Sequence, residues 1–397
     1  MVNNNQQSKP RAVIIGGGFT GCALALDLQM RGFAVELFER GELSAGTSGR
    51  THGLLHSGGR YCVEDVEAGQ ECIQENRILR KIAKQCIEFN GGLFIALTDS
   101  DVAYGDQFAK GAVECGIDID ELPPAQAIKL EPNINPALLR AFRVPDGAFD
   151  PLRLALAFAA TAKRYGAVFH PYCDVTELLR RKDGQVIGIR CLNRHEDHFY
   201  TYEADVVINA TGAWAGRITA LANVDVPVRP TPGVMVAYDQ RLVQCVINRL
   251  CIPDDGDILV PQRRMVLIGT TSFDHEDVDY IPVYQDQIQL MHKRAAELVP
   301  AVKNAHMRGA WMSARPLIAS GGDARSLTRT FKCYDHAEQG APGLFTITGG
   351  KATTCRLMAE KAADLVCQSL KINQPCQTRD LILDPYRQYF ASVRSAS

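Results

Sequence analysis

The sequence predicts an α/β protein: a nucleotide-binding domain built on a parallel sheet and interrupted by a mostly antiparallel, β-rich domain. Three observations lead there. Residues 12–39 run strand, helix, strand, the order of a parallel βαβ unit. Short apolar runs end in glycine or small residues at three separate places, 16–21, 209–213 and 349–350. Residues 226–270 hold several strand-like runs, the pattern of antiparallel structure.

Taken in order, residues 1–10 (MVNNNQQSKP) read as a disordered polar leader. Ala12–Ile15 is an apolar run closed by glycine, hence a buried strand. Gly21–Arg31 follows as a helix stopped by Gly32, and Ala34–Glu39 is the second strand. Glu64–Cys86 reads as a long charged helix and Leu122–Pro136 as Pro-rich irregular chain. Asp150 and Pro151 are a cap and a first helical position, opening a helix that ends at Gly166. Val175–Leu192 is a hairpin turning on Asp183-Gly184. Val206–Ile208 is a short buried strand, Gly233–Tyr238 and Met265–Gly269 are strand-like, and Gln285–Leu298 is helical. Leu344–Thr348 and Ala352–Leu370 form a last strand and helix. This order assigns 11–90, 150–225 and 310–397 to the nucleotide-binding domain, and 91–149 and 226–309 to a substrate domain.

The 397 residues supply ample core, and 43 basic against 45 acidic side chains exclude nucleic acid as a main partner. Thirteen cysteines occur without any C-x-x-C pair. That spacing disfavours a disulfide framework, a zinc ribbon and an iron–sulfur ligand set. Reduced thiols in the cytoplasm and no metal are expected. Lys9 and Arg11 before the uncharged run Ala12–Leu26 imitate a signal peptide. Gly16 to Gly18 would break such a helix, and the run is shorter than the about 20 residues a bilayer requires. Any membrane contact is therefore expected to be peripheral.

Gly16-x-Gly18-x-x-Gly21 follows a strand and opens a helix. Glycines there let backbone N–H groups approach a pyrophosphate at the helix N-terminus. Glu39 closes the next strand near the ~20-residue offset at which a carboxylate holds a ribose hydroxyl. A ligand-free tight turn is the alternative. Residues 46–61, GTSGRTHGLLHSGGRY, favour FAD over NAD. NAD domains run directly into the next helix here, whereas a Gly-, Ser- and Thr-rich loop can wrap a larger cofactor. Asn209-Ala210-Thr211-Gly212-Ala213-Trp214 and Gly349-Gly350-Lys351 each follow a strand and allow close backbone approach. A helix N-terminus at the second could face a flavin's pyrimidine end and stabilise its reduced, anionic form.

Together these segments resemble the FAD-dependent glycerol-3-phosphate dehydrogenases, within the D-amino-acid-oxidase-like flavoprotein superfamily. Among these, the large catalytic subunit of the anaerobic type is the nearest in kind. VIIGGGFTGCALALDLQMRGFAVELFER, GRTHGLLHSGGRY, VPDGAFDPLRLA, VVINATGAWA, ILVPQRRMVLIGTTSF, SARPLIAS and FTITGGKATTCRLMAEKAADLV carry the resemblance over nearly the whole chain. It implies a Rossmann-like FAD domain contacting its cofactor through Gly16, Gly18, Thr20, Gly21, Glu39, Arg40, Thr47, Ser48, His52, Gly53 and Leu54. Val175, Ala210, Thr211, Gly212, Gly350, Lys351, Ala352 and Thr353 complete that set. It also implies a substrate phosphate held by Arg60 (GGRY), Arg315 (SARPL), Arg329 (LTRT) and Lys351 (GGK). Arg suits this because a guanidinium meets phosphate oxygens bidentately. His52, His56 and Tyr61 are candidates for proton transfer, with His56 first by its ordinary pKa. Arg315, always charged, would position substrate and stabilise the developing keto oxygen. Nothing in the chain favours the alternative of His56 as a covalent flavin attachment.

Two departures stand out. Pro232-Gly233-Val234 replaces the family's Lys-Gly-Ser, removing a cation and a hydroxyl and putting the exact substrate in doubt. The large chain of the anaerobic type also continues into a cysteine-bearing, ferredoxin-like domain, whereas this sequence reaches Ser397 without a cysteine cluster. Electrons are then expected to leave by another route. The expected reaction is oxidation of sn-glycerol 3-phosphate, or a related polyol phosphate, to dihydroxyacetone phosphate by hydride transfer to flavin N5. Electrons would pass on to a partner electron-transfer subunit or quinone, at a cytoplasmic site associated at most with the inner membrane's cytoplasmic face. A homo- or hetero-oligomer is left open. The alternatives are a 2-hydroxy-acid or amino-acid dehydrogenase or oxidase, with Arg315 pairing a carboxylate, and a non-catalytic FAD-holding subunit.

Overall fold

The computed structural model describes residues 9–275, 277–319 and 330–391. The apolar run Arg11–Ile15 lies inside a six-stranded sheet, paired in parallel with Ala34–Glu39 on one side and Val206–Asn209 on the other. Leu344–Gly349 and Val168–Pro171 extend the sheet in parallel, and Phe331–Asp335 closes one edge antiparallel. Such strands need apolar cover on both faces. Ile14, Val35 and Ile208 pack under helices Phe19–Met30, Pro151–Arg164 and Cys355–Ser369. Val13, Ile15 and Val207 face the other way. They meet Val175, Ile189 and Cys191 of a three-stranded sheet formed by Cys173–Arg180, Val186–Asn193 and His198–Glu203.

A second, eight-stranded sheet takes the order Met307–Ile318, Val228–Tyr238, Met265–Gly269, Ile258–Gln262, Val246–Arg249, Gly92–Ala96, Arg140–Val144, Asp120–Leu122. It is antiparallel except where Val246–Arg249 runs parallel to Gly92–Ala96. Val234, Val236 and Ile268 pack against Ile288 and Met291 of helix Gln285–Leu298. Period-2 alternation then turns Met235 to the opposite face, where it lines a large cleft.

Several elements differ from the sequence reading. The first helix begins at Phe19 rather than Gly21. The helix expected over 64–86 spans Val66–Ile82, because the Asp65 side chain caps it by accepting from Ala68 N at 3.2 Å. Within 122–136, expected irregular, lies the helix Pro124–Leu130; proline at a first position gives up only an N–H that would have no helical partner. Helix Asp99–Cys115, absent from the sequence reading, starts with a Thr98–Asp101 capping box and stops at Gly116, φ +73°. Residues 310–318 pair inside the eight-stranded sheet rather than joining the 310–397 segment of the first domain. The expected leader lies outside the described residues up to position 8. All thirteen cysteines are free thiols. Among the described residues, no helix is long and apolar enough to cross a membrane.

Candidate active site

A cleft of about 1970 Å³ runs between the carboxyl ends of the six-stranded sheet and the face of the eight-stranded one. Open α/β sheets place ligands at those strand ends. The volume exceeds the 300–1,000 Å³ of a common ligand pocket and leaves room for a dinucleotide with a substrate beside it.

At one end lies a backbone cradle. Gly16 has φ +110°, and a Cβ there would sit 2.7 Å from Ala210 O. A Cβ on Gly21 would sit 1.9 Å from Gly16 O, so glycine is what lets this helix approach the turn. Gly18 faces the cleft; a Cβ there would meet Ser48 Oγ at 2.8 Å, the atom that accepts from Phe19 N at 3.0 Å. The helix carries no acid in its first turn, so its positive end is available to an anion. Glu39 accepts from Gly17 N at 2.8 Å and Gly41 N at 2.9 Å. Two amides orient this carboxylate at the cleft wall, with lone pairs left for a hydroxyl.

Thr20, Arg40, Thr47, Ser48, Leu54, Val175, Ala210, Thr211, Gly212, Gly350, Lys351 and Ala352 also line the cleft. Thr47 Oγ1 donates to Ala314 O at 2.7 Å, tying the loop to the strand that bears Arg315. Thr211 is held through N and Oγ1 by Asn209 Oδ1. Arg40 is engaged elsewhere: its guanidinium lies 4.6 Å from the Trp214 ring and bonds Asp279 at 2.8 Å. Arg217, Arg40 and Trp214 together hold the Asp279 carboxyl down at about 2 against its partial burial.

Gly21, Gly53 and Thr353 stand behind the cleft wall instead of on it. Gly53 has φ +76° and abuts Gln262 and Phe149 O. Thr353 Oγ1 accepts from His56 N at 3.1 Å, so it fixes the loop that bears His56.

At the other end the basic candidates meet. Arg60, Arg315, Lys351, His52, His56 and Tyr61 all line this cleft. The His56 ring lies 5.3 Å from Tyr61 and 6.5 Å from His52, and Lys351 Nζ sits 5.2 Å from the Tyr61 ring centroid. Arg315 is aimed by Thr271 O, 2.9 Å from Nη2, and Thr231 O, 3.4 Å from Nε. Arg60 is nearly buried and pairs with Asp257 at 2.9 Å. Lys351 lies 3.7 Å from Glu71, whose carboxyl burial holds above its ordinary range. Arg329 lies outside the described residues. Among the described residues, no group of three His, Cys, Asp or Glu is placed to hold a metal ion.

Asp257, Glu71, Gln262 and Asp279 are absent from the sequence reading. Local sequence signals only charge or polarity at each, since their partners lie far along the chain. The Pro232-Gly233-Val234 departure takes a definite place as well. Val234 is fully buried in the core of the eight-stranded sheet, its amide donating to Thr271 Oγ1 at 3.0 Å. Valine there removes no hydroxyl from the cleft. Pro232 sits opposite Ala314 in the register, one step from Arg315.

The sequence and the fold are matched in known proteins. The family described as FAD dependent oxidoreductase matches residues 11–365, and the chain belongs to that family. It is 42% identical over 376 residues to the A subunit of the anaerobic glycerol-3-phosphate dehydrogenase of Escherichia coli, covering 94% of this chain and 69% of that one. The A1 subunit of the enzyme of that name from Haloferax volcanii is 41% identical over 388 residues, covering 94% and 66%. The chain thus spans about two thirds of the length of these relatives. In fold it is similar to the glycerol-3-phosphate dehydrogenase of Bacillus halodurans complexed with FAD (TM-score 0.72, 24% identity, covering 95% of this chain and 68% of that one). The protein is an FAD-dependent oxidoreductase, and the cradle residues fit FAD: Gly16 and Gly18 put bare backbone on the cleft wall at a helix N-terminus, which suits a pyrophosphate, and the Glu39 carboxylate beside them suits an adenosine ribose.

Proposed function

We propose that the protein oxidises sn-glycerol 3-phosphate, or a close polyol phosphate, to dihydroxyacetone phosphate. The observation that carries this is the meeting of Arg60, Arg315 and Lys351 with His52, His56 and Tyr61 at one end of a cleft that continues into a dinucleotide cradle. The names of the two 41–42% identical relatives support it.

Arg60 and Arg315 bind the phosphate through fixed forks, and Lys351 adds a point charge. Arg315, aimed by two backbone carbonyls, also stabilises the oxygen that becomes the ketone. His56 or a water accepts the hydroxyl proton, and the ring of Tyr61 packs beside it. FAD, when bound, supplies the acceptor for the substrate's carbon-bound hydrogen. The cleft walls exclude bulk water from that exchange. Reducing equivalents pass to a partner subunit or a quinone, in keeping with the relatives' being named as subunits. The site of action is the cytoplasm, with peripheral contact at most to the inner membrane.

The 2-hydroxy-acid and amino-acid reading rests on the 232–234 departure, and the burial of Val234 removes half of that support. Anaerobic addition of sn-glycerol 3-phosphate to FAD-loaded protein should bleach the flavin absorbance and yield dihydroxyacetone phosphate. Flavin that bleaches with a 2-hydroxy acid or an amino acid, yet not with this substrate, replaces the reading.

A further inference from the structure

His52 is nine-tenths buried and lines the basic end of the cleft. Its backbone is fixed, with the carbonyl accepting from Gln262 Nε2 at 3.0 Å. Its Nδ1 lies 3.1 Å from Leu54 N. A backbone amide can only donate, so Nδ1 is the unprotonated nitrogen and Nε2 carries the proton of the neutral ring. Nε2 makes no hydrogen bond within the described residues. The Cδ2 edge beside it packs on Gly269, where a Cβ would approach to 2.8 Å.

From this geometry we propose that His52 is a neutral hydrogen-bond donor, through Nε2, to the phosphate oxygens of the bound substrate, completing an anion site with Arg60 and Arg315. The inference rests on the phosphate-ester reading of the site. Burial, then the Arg60 charge, then the Arg315 charge, bring the ring's pKa down to about 4. A proton added at Nδ1 would also break the bond from Leu54 N. Both facts disqualify His52 as a base near neutrality, where an effective base titrates close to the working pH. Neither weakens it as a donor. A neutral N–H adds orientation without a further positive charge beside the two guanidiniums and the Lys351 ammonium.

The test uses FAD-loaded full chain with His52→Ala and His52→Gln, the second placing an amide N–H near the position of Nε2. Inorganic phosphate is titrated calorimetrically, and sn-glycerol 3-phosphate kinetics are measured from pH 5.5 to 8.5. His52→Ala should weaken phosphate binding about ten-fold and raise KM by a like factor, the size of one lost donor to an anion. His52→Gln should restore most of it, and the pH profile of kcat should keep its shape in both. Unchanged phosphate affinity in His52→Ala overturns the proposal. So does a hundred-fold fall in kcat with loss of the acidic limb, which is the signature of a base. If the wild type fails to turn over glycerol 3-phosphate, the substrate reading falls alone, and the phosphate titration still decides His52.

Discussion

Arg315 lines the cleft, and the backbone carbonyls of Thr231 and Thr271 accept from its Nε and Nη2, fixing the direction of its guanidinium. Arg315→Ala should keep FAD and lose about ten- to a hundred-fold in kcat/KM, corresponding to about 1.5–3 kcal/mol for a charge-assisted contact. Arg315→Lys should recover little, since a point charge does not replace a planar fork. Steady-state kinetics decide it: wild-type kcat/KM in the alanine variant would remove Arg315 from the site. His52 makes a prediction about stability. Its folded pKa of about 4 lies below the ordinary 6.5. Between those values the unfolded chain binds a proton that the folded chain refuses. Stability is therefore fully present above pH 6.5 and falls as the pH drops to about 4. The loss reaches roughly 3 kcal/mol. Urea midpoints of wild type and His52→Gln at pH 4.5 and 7 should show a smaller acid loss in the variant; equal losses would mean that the ring is protonated in the fold.

At the scale of elements, helix Phe19–Met30 works only because Gly21 lets it touch the turn before it. Gly21→Val would force Cβ into Gly16 O, 1.9 Å away even for the first carbon. Backbone must then move, at a typical cost of about 1–3 kcal/mol for overpacking. The variant should melt lower and emerge without flavin; full flavin content at the wild-type melting temperature would sink the cradle argument. Helix Val66–Ile82 is a strut for the basic pocket. Its Asn76 donates to His56 O at 3.0 Å, its Glu71 faces Lys351, and its Glu75 receives Arg356 at 2.6 and 2.9 Å. The Arg356 and Glu75 side chains are 1% and 2% exposed. Arg356→Met would strand Glu75 in the interior, a loss of about 3–5 kcal/mol. Chemical denaturation should show it, and a change below 1 kcal/mol would mean that Glu75 is neutral in the fold.

For the molecule as a whole, the cleft is walled by residues of both large sheets, so a bound dinucleotide should join them thermodynamically. Ligand at a hundred times its Kd adds about 2.7 kcal/mol to the folded state. Stripping the cofactor should therefore lower the melting temperature, and adding FAD should restore it more fully than adding FMN, which lacks the ribose facing Glu39. Mass spectrometry of the cofactor released on denaturation should show FAD; FMN or NAD alone would overturn the role given to Glu39. The two relatives are named as subunits, and about a third of their own length lies outside the match to this chain.

Local chemistry was enough for the βαβ opening, the glycine turns, the Asp150-Pro151 helix start and the Asp183-Gly184 hairpin. Each depends on residues within a few positions of one another: a positive φ, a cap, an alternating run. The flavin reading was legible for the same reason, since loop and glycines follow one another in the chain. Helix Asp99–Cys115 is equally local, with Thr98, Asp101 and Gly116 marking its ends. Other features needed the tertiary structure. Arg60 meets Asp257 and Lys351 meets Glu71 only once the chain has folded into one cleft, since each pair is about 200 or more residues apart in sequence. Val234 reads as a lost hydroxyl in sequence and as core in space, because a strand's two faces are told apart only by what packs on each. Burial and charge at long sequence separation set the protonation of this site, and neither is a property of any short stretch of chain.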